Sequence, residues 1–183
     1  MNIFVLSEQY CPVESARMQC DDHVRKMGLE SCQLLATAFD LERLAQDDCP
    51  KTQTGNPRKH FNPNHPCGVW ARQSTANFDW LLLHTQALFS EYTRRFDKRH
   101  FTEDFADWVV INLEDANVPQ GKLTSFSIAI GDDKICRNHP DFEGSETYQK
   151  YRYFYQYDKP FATWDKLNNT PDWFSLDKLD LEV

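Results

Sequence analysis

The order of polar and apolar positions predicts that a helical segment near the start of the chain carries a polar stripe. Between residues 20 and 45, polar side chains recur at steps of three, four and three residues, namely His23, Lys26, Glu30 and Gln33. This spacing places them on one face of a helix. Leu, Val, Met and Ala cover much of the remaining surface, so we expect a packed helix.

A second stripe follows between residues 66 and 95, where the side chains at steps of seven are Trp70, Asn77, His84 and Glu91. A buried polar group without a partner costs about 1–3 kcal/mol, so both stripes must find partners. If they face each other, they form a polar cleft between two helices, and we expect chemistry there. On this interpretation His84 and Glu30 are largely buried and bonded to other stripe residues.

The remaining pattern predicts a mostly α, single-domain fold of packed helices with a short N-terminal extended segment and two long loops. The predicted helices are a short one from Pro12, then about 21–45 with a break near Asp40, 66–96 capped by Asn64, 102–113, and 145–166 interrupted at Pro160. The loops are 46–66 and 114–142, and residues 123–130 could add a short strand. The acidic end, 177–183, is expected to fray.

Composition narrows the class of protein. The chain has 183 residues, of which 40% are hydrophobic and 14% aromatic, as expected of one compact domain. No apolar run approaches the ~20 residues of a membrane span, and the first six residues lack the features of a signal peptide. We therefore expect a soluble cytoplasmic protein without a membrane partner. The six cysteines lack zinc-site spacing, which favours free thiols and predicts neither a metal nor a cofactor.

The net charge of −8 argues against non-specific binding of nucleic acid through bulk charge. Two basic clusters interrupt the acidic chain, Arg58-Lys59-His60 and the run from Arg94 and Arg95 to His100. They could hold a polyanion locally, or the second could be the solvated end of a long helix. His65, at the start of a predicted helix, could bind phosphate together with Arg58 and Lys59, or it could simply cap that helix.

Familiar hydrolase, kinase and dinucleotide motifs are absent, so any chemistry rests on scattered residues. His23 could act as a general acid or base, or could pair with Asp22. Glu30 could transfer protons with a raised pKa, or could pair with Lys26. On the last predicted helix, Tyr151 shares one face with Tyr148 and Tyr155. One tyrosine face must be core, and the other could stack bases or pack under a loop.

The order of these features resembles a known family. The helix CDDHVRKMGLESCQLL, followed by HPCGVWARQSTANFDWLLLHTQALFSEYTRRF, is similar to the small all-α pyrimidine-dimer DNA glycosylases of phage (the endonuclease V type) and their uncharacterised bacterial relatives. The resemblance covers roughly residues 1–100 and implies a base-excising glycosylase with lyase activity. It also implies that a terminal amine acts as nucleophile, assisted by a glutamate. Because Asn2 disfavours removal of Met1, the amine would stay on Met1 in a buried segment. This predicts no borohydride-trapped adduct.

The resulting hypothesis is a phage-type protein that processes nucleic acid or nucleotides, acting on a nucleobase–sugar bond or a modified base. The catalytic candidates are His23, Glu30 and His84, and the substrate-binding candidates are Lys26, Gln33, Arg58, Lys59, His65, Trp70, Asn77, Glu91, Arg94, Arg95 and Tyr151. Two alternatives stay open. One is a non-catalytic acidic protein that binds a basic host or defence partner, and the other is a protein that sequesters nucleotides.

Overall fold

The computed structural model describes residues 1–175 and confirms a mostly α fold, with no strand in that range. The helices are α1 Pro12–Arg17, α2 Asp21–Ala36, α3 Leu41–Leu44, α4 Pro66–Ala71, α5 Thr75–Phe96, α6 Glu103–Ile111 and α7 Thr147–Asp158, with short 3-10 turns at Leu113–Asp115 and Ile135–Asn138. The predicted fraying of residues 177–183 concerns residues outside the described range.

Helix α5 forms the centre of the fold and packs against α1 and α2. The contact between α2 and α5 is close at Gly28, because a Cβ atom built there would lie 2.5 Å from Cε1 of Phe89. Phe89 is itself buried and packs against the ring of His100. The absence of a side chain at position 28 therefore sets the spacing of the two longest helices.

The predicted helix 66–96 is two helices in the structure. Ser74 interrupts it and begins α5, since its hydroxyl accepts a hydrogen bond from the Asn77 amide at 3.2 Å. The cap of α4 is His65, whose Nδ1 accepts from the Cys67 amide, so the prediction of Asn64 as the cap was wrong. Likewise α2 ends at Ala36, earlier than predicted, and α7 ends before Pro160.

The N-terminal segment is extended, as predicted, but side chains satisfy its main chain in place of a neighbouring strand. Ile3–Leu6 are buried, and the amides of Leu6 and Ser7 both donate to the Ser15 hydroxyl at 3.1 Å. The carbonyl of Leu6 accepts from Nε of Arg152 at 3.0 Å. The segment is therefore held between α1 and α7.

Residues 123–130, which could have formed a strand, have no regular secondary structure and are bound by side chains. The amide of Thr124 donates to Asn77 Oδ1 at 2.9 Å, and the amide of Ala129 donates to the Tyr151 hydroxyl at 3.3 Å. All six cysteines are free thiols, as the sequence predicted. Within residues 1–175, no helix combines the length and the apolar character that a membrane crossing requires.

Candidate active site

The polar stripe of α2 leads to the amino group of Met1. The carboxylate of Glu30 lies 3.8 Å from this amino group through Oε2 and 3.0 Å from Nζ of Lys26 through Oε1. The ion pair with Lys26 is one of the two arrangements expected for Glu30. The carboxylate therefore joins two cationic groups, and its side chain keeps 14% of its surface exposed.

The main chain of Met1 is partly exposed. The Met1 side chain is only 4% exposed, whereas the residue as a whole is partly exposed. The exposed area therefore belongs mainly to main-chain atoms. The predicted burial of the N-terminal segment thus holds for residues 3–6 and not for the main chain of Met1.

The charges of this pair act on His65. Burial lowers the pKa of His65 below its usual range, the positive amino group of Met1 lowers it further, and Glu30 acts in the opposite direction. Its Nδ1 accepts the helix-capping bond, so only Nε2 can serve another partner. The capping role expected as one alternative is confirmed.

His23 lies one turn before Lys26 on the same stripe and is held by aromatic side chains. Its Nδ1 bonds to the hydroxyl of Tyr155, and its ring stacks on Phe4 with 4.5 Å between centroids. Burial lowers the pKa of His23 to about 3, with smaller contributions from the charges of Lys159 and Lys26. The imidazole is therefore neutral at pH 7. The alternative pairing with Asp22 does not form, because Asp22 pairs with Arg25 at 3.5 Å.

The α5 stripe is a separate buried network, so the expectation that the two stripes form one cleft is corrected. Asn77 donates to the carbonyl of Trp70 and to Thr124, both at 2.8 Å. His84 Nε2 bonds to the side-chain amide nitrogen of Gln19 at 3.0 Å. Gln19 belongs to neither stripe, so the expected bond to another stripe residue does not form. Within residues 1–175, no hydrogen bond or ion pair joins the α2 stripe to the α5 stripe.

His84 shows why this second stripe is structural. It is 1% exposed, it stacks on Trp80 at 5.1 Å, and its Nδ1 has no partner in the described part of the chain. Burial lowers its pKa to about 3. A substrate cannot reach it, so its expected catalytic role is corrected to a role in packing.

Glu91 and Arg95 also belong to the interior. Arg95 has a completely buried side chain and contacts Glu91 at 3.2 Å and Asp21 at 3.1 Å. It donates further bonds to the carbonyls of Gln19 and Arg17. Neither residue is open to a substrate, so the expected roles of Glu91 in substrate binding and of Arg95 in holding phosphate are corrected. Arg94 remains exposed and lies 3.6 Å from Glu91, as expected for the solvated end of a helix.

The aromatic residues expected to stack on a base, Trp70 and Tyr151, are 2% and 0% exposed. Trp70 stacks on Phe126 at 4.8 Å, and the Tyr151 hydroxyl contacts Asn2 and Ser127, both at 3.3 Å. Both are core residues, so the expectation that they stack on substrate is corrected. On the other face of α7, Tyr153 stacks on His139 of the loop 114–142. This is the alternative in which the second tyrosine face packs under a loop.

Three of the substrate-binding candidates meet at a cavity of about 660 Å³, namely Gln33, Arg58 and Lys59. Gln33 follows Glu30 by one turn of α2, so the helix that carries the carboxylate also forms one wall of the cavity. The long loop 46–66 forms the opposite wall. Two residues that the sequence analysis did not single out, Phe61 and Phe101, also line it.

Two other features were not foreseen from the pattern. The first is Tyr155 as the partner of His23, a contact between residues 132 positions apart. The second is the presence of the Met1 amine at Glu30, for which the family resemblance was the only signal. No group of three or more His, Cys, Asp or Glu side chains that could hold a metal ion occurs in the described range.

Comparisons of the chain with protein-family models, with curated proteins and with solved structures find no match.

Proposed function

We propose that this protein processes a nucleic acid or nucleotide at a nucleobase–sugar bond, with its reaction centre at the amino group of Met1 and Glu30. The observation that carries the proposal is the Met1 amine held 3.8 Å from a carboxylate on the polar stripe of α2, in a residue whose main chain is partly exposed. An amine beside a carboxylate is a suitable nucleophile for a sugar carbon, since the carboxylate can accept the proton that the amine loses. The family resemblance implies the same pairing.

The chemistry follows from these groups. The Met1 nitrogen attacks the anomeric carbon of the sugar, the bond to the base breaks, and the base leaves with the bonding electrons and a proton. Opening of the sugar ring converts the new carbon–nitrogen bond into an imine, which water can hydrolyse. Glu30 would take the proton that the amine loses and pass it to the departing base, and Lys26 forms an ion pair with that carboxylate at 3.0 Å.

His23 and His65 complete the proposed centre. His23 is neutral and fixed by Tyr155, so its Nε2 can form a hydrogen bond with the base. His65, with its Nδ1 engaged in the cap of α4, likewise offers only Nε2. After burial, the charges of Met1 and Glu30 both contribute to its pKa, which supports assigning it to the proposed centre.

The Met1 main chain also bears on the earlier expectation that no adduct forms. That expectation relied on the retention of Met1 and on a buried N-terminal segment, and the partly exposed main chain of Met1 removes the second reason. We therefore expect borohydride to trap an imine between the protein and a duplex that contains an abasic site. Intact-mass and peptide analysis should place the adduct on the α-nitrogen of Met1.

The controls separate chemistry from folding. Glu30→Gln should reduce turnover of a dimer-containing or abasic duplex by at least about 100-fold while the circular dichroism spectrum stays unchanged. Asp22→Asn, a matched change at an exposed carboxylate of the same helix, should leave turnover within about twofold. No adduct and no turnover from a folded protein would reject this proposal. Binding of nucleotide without turnover would then favour the sequestering alternative.

A further inference from the structure

The cavity beside α2 contains a positive charge that has no counter-charge. Arg58 is 7% exposed and lines the cavity wall. Its Nε donates to the carbonyl of Pro50 at 2.8 Å, and its guanidinium lies 4.1 Å from the centre of the Phe105 ring. No carboxylate in the described part of the chain forms an ion pair with it.

The absence of a carboxylate distinguishes Arg58 from the other buried arginine of the fold. Arg95 is enclosed by Asp21 and Glu91, whereas Arg58 contacts a main-chain carbonyl and an aromatic ring. Contact with an aromatic ring compensates only part of the cost of removing a guanidinium from water. The terminal nitrogens of Arg58 donate to no described residue and are not enclosed, so they can receive an anionic ligand at the cavity.

The rest of the cavity fits an anion attached to a flat ring. Lys59 follows Arg58 at the rim and adds a second, exposed positive charge. Phe61 and Phe101 are 55% and 52% exposed, although large aromatic side chains are usually buried. One face of the Phe101 ring stacks on His100 at 4.6 Å, which leaves the other available. Gln33 adds an amide that can form hydrogen bonds with a base edge.

The wall that carries these groups is a defined turn. The Thr52 amide donates to the Asn56 carbonyl at 2.9 Å, and the Gly55 amide donates back to Thr52 at 2.8 Å. Gly55 has φ of 78°, a backbone conformation that favours glycine. The turn therefore fixes the part of the loop that comes before residues 58–61, and these residues line the cavity.

From these observations we infer that the cavity binds one nucleoside monophosphate unit, with the phosphate on Arg58 and Lys59 and the base against Phe61 or Phe101. Guanidinium groups recognise phosphate oxygens, and phenylalanine rings stack on bases. The unit could be a free nucleotide or an unpaired nucleotide of a DNA strand. The inference deepens the proposed function by naming where the substrate is held. The cavity and the Met1 centre share helix α2, on which Gln33 follows Glu30 by one turn.

The test is calorimetric binding of four probes to the full chain: dTMP, the oligonucleotide d(T)8, thymidine and inorganic phosphate. We expect dTMP or d(T)8 to bind at least about tenfold more tightly than either thymidine or phosphate, since both halves of the unit make contacts. Tighter binding of dTMP identifies a free nucleotide, and tighter binding of d(T)8 identifies a strand. Equal binding of phosphate and dTMP, or no binding of dTMP and d(T)8, would overturn the inference.

Variants then assign the contacts. Phe61→Ala and Lys59→Gln alter exposed side chains and should each weaken binding by about fivefold or more, and Arg58→Gln by at least about tenfold. The matched controls Ile111→Ala and Lys122→Gln change exposed residues elsewhere and should leave binding unchanged. If Arg58→Gln does not fold, the two exposed variants still decide. Unchanged binding in both would exclude the site.

Binding is also measured in Glu30→Gln, which cannot complete the proposed reaction. Nucleotide binding there with the affinity of the unaltered protein supports a cavity site distinct from the Met1 centre. A failure of the reaction chemistry would leave this result intact, so the two proposals can fail separately.

Discussion

Arg95 on α5 donates a hydrogen bond to Asp21 at the start of α2, with 3.1 Å between Nη1 and Oδ1 and both side chains almost completely enclosed. The second oxygen of Asp21 accepts from the main-chain amide of Lys166 at 3.0 Å. One ion pair thus ties α2, α5 and the segment after α7 together. Removing one member of such a pair leaves an uncompensated charge in the interior.

We predict that Arg95→Met lowers the free energy of unfolding by about 3–5 kcal/mol, because Asp21 and Glu91 lose their shared cation. In a chain of this size the melting temperature should fall by about 6–20 °C. Arg94→Met, at the exposed neighbouring position, should change stability by no more than about 0.5 kcal/mol. Thermal unfolding of both variants measures the difference, and similar shifts would contradict the structural role of Arg95.

A second prediction separates the two buried histidines by function. His23→Gln should reduce turnover by about tenfold or more, because the proposed centre loses the imidazole assigned to bond the base. His84→Gln should keep turnover within about threefold and instead lower stability by about 1–3 kcal/mol, because it breaks the contacts with Gln19 and Trp80. The measurements are initial rates and chemical denaturation on the same preparations. Loss of turnover in His84→Gln at normal stability would restore a catalytic role for that residue.

The third prediction concerns acid. Burial lowers the pKa of His84 to about 3, whereas the same side chain in the unfolded chain titrates near 6.5. Between these values the unfolded chain binds a proton that the folded chain excludes, so acid favours unfolding. The contribution of neutral His84 is complete above about pH 6.5 and declines below it by about 1.4 kcal/mol per pH unit.

Between pH 7.5 and pH 5 this amounts to a loss of about 2 kcal/mol from His84. His23 contributes in the same direction, because its pKa in the folded chain is also about 3. Urea unfolding at both pH values should show that His84→Gln removes the part of this stability loss that is due to His84 and leaves the part that is due to His23. An unchanged difference between the two pH values in this variant would show that His84 is not held neutral.

The fourth prediction tests the closest approach of α2 and α5. Gly28→Ala should destabilise the fold by about 1–3 kcal/mol, although alanine favours helix formation, because its methyl group would overlap the ring of Phe89. The matched change Gly144→Ala places a methyl group in open space and should be close to neutral. Thermal unfolding of the pair gives the comparison. A stabilised Gly28→Ala would mean that the helices can separate without cost.

The helices could be predicted from the sequence because their faces repeat with helical periodicity. Periodicity places Asn77, His84 and Glu91 on one face, yet it does not say which neighbour that face meets. The polar groups of the α5 face bond to Gln19, to the carbonyl of Trp70 and to Arg95 of the same helix. All of these partners are buried, so the face is part of the interior. The α2 stripe, with the same kind of pattern, instead reaches the Met1 amine.

Other differences come from local and from distant contacts. The break before α5 had a readable local signal, since Ser74 is a favourable first residue for a helix. The cavity had only the length of the loop 46–66 as a signal, and loop length does not position Arg58 or Phe61. The contact of Tyr155 with His23 joins the two ends of the chain, and no pattern within either helix encodes it.

The same distant contacts determine when the chain can finish folding. Phe4 packs against Tyr155 at 5.2 Å, and the carbonyl of Leu6 accepts a hydrogen bond from Arg152, which lies 146 positions later, so this early segment receives partners that are synthesised much later. Contacts of such long sequence separation slow folding, because a large loop must close before they can form. A nascent chain released before α7 would expose the apolar run Ile3–Leu6. Ribosome-bound intermediates of this protein should therefore recruit chaperones until α7 emerges and covers that segment.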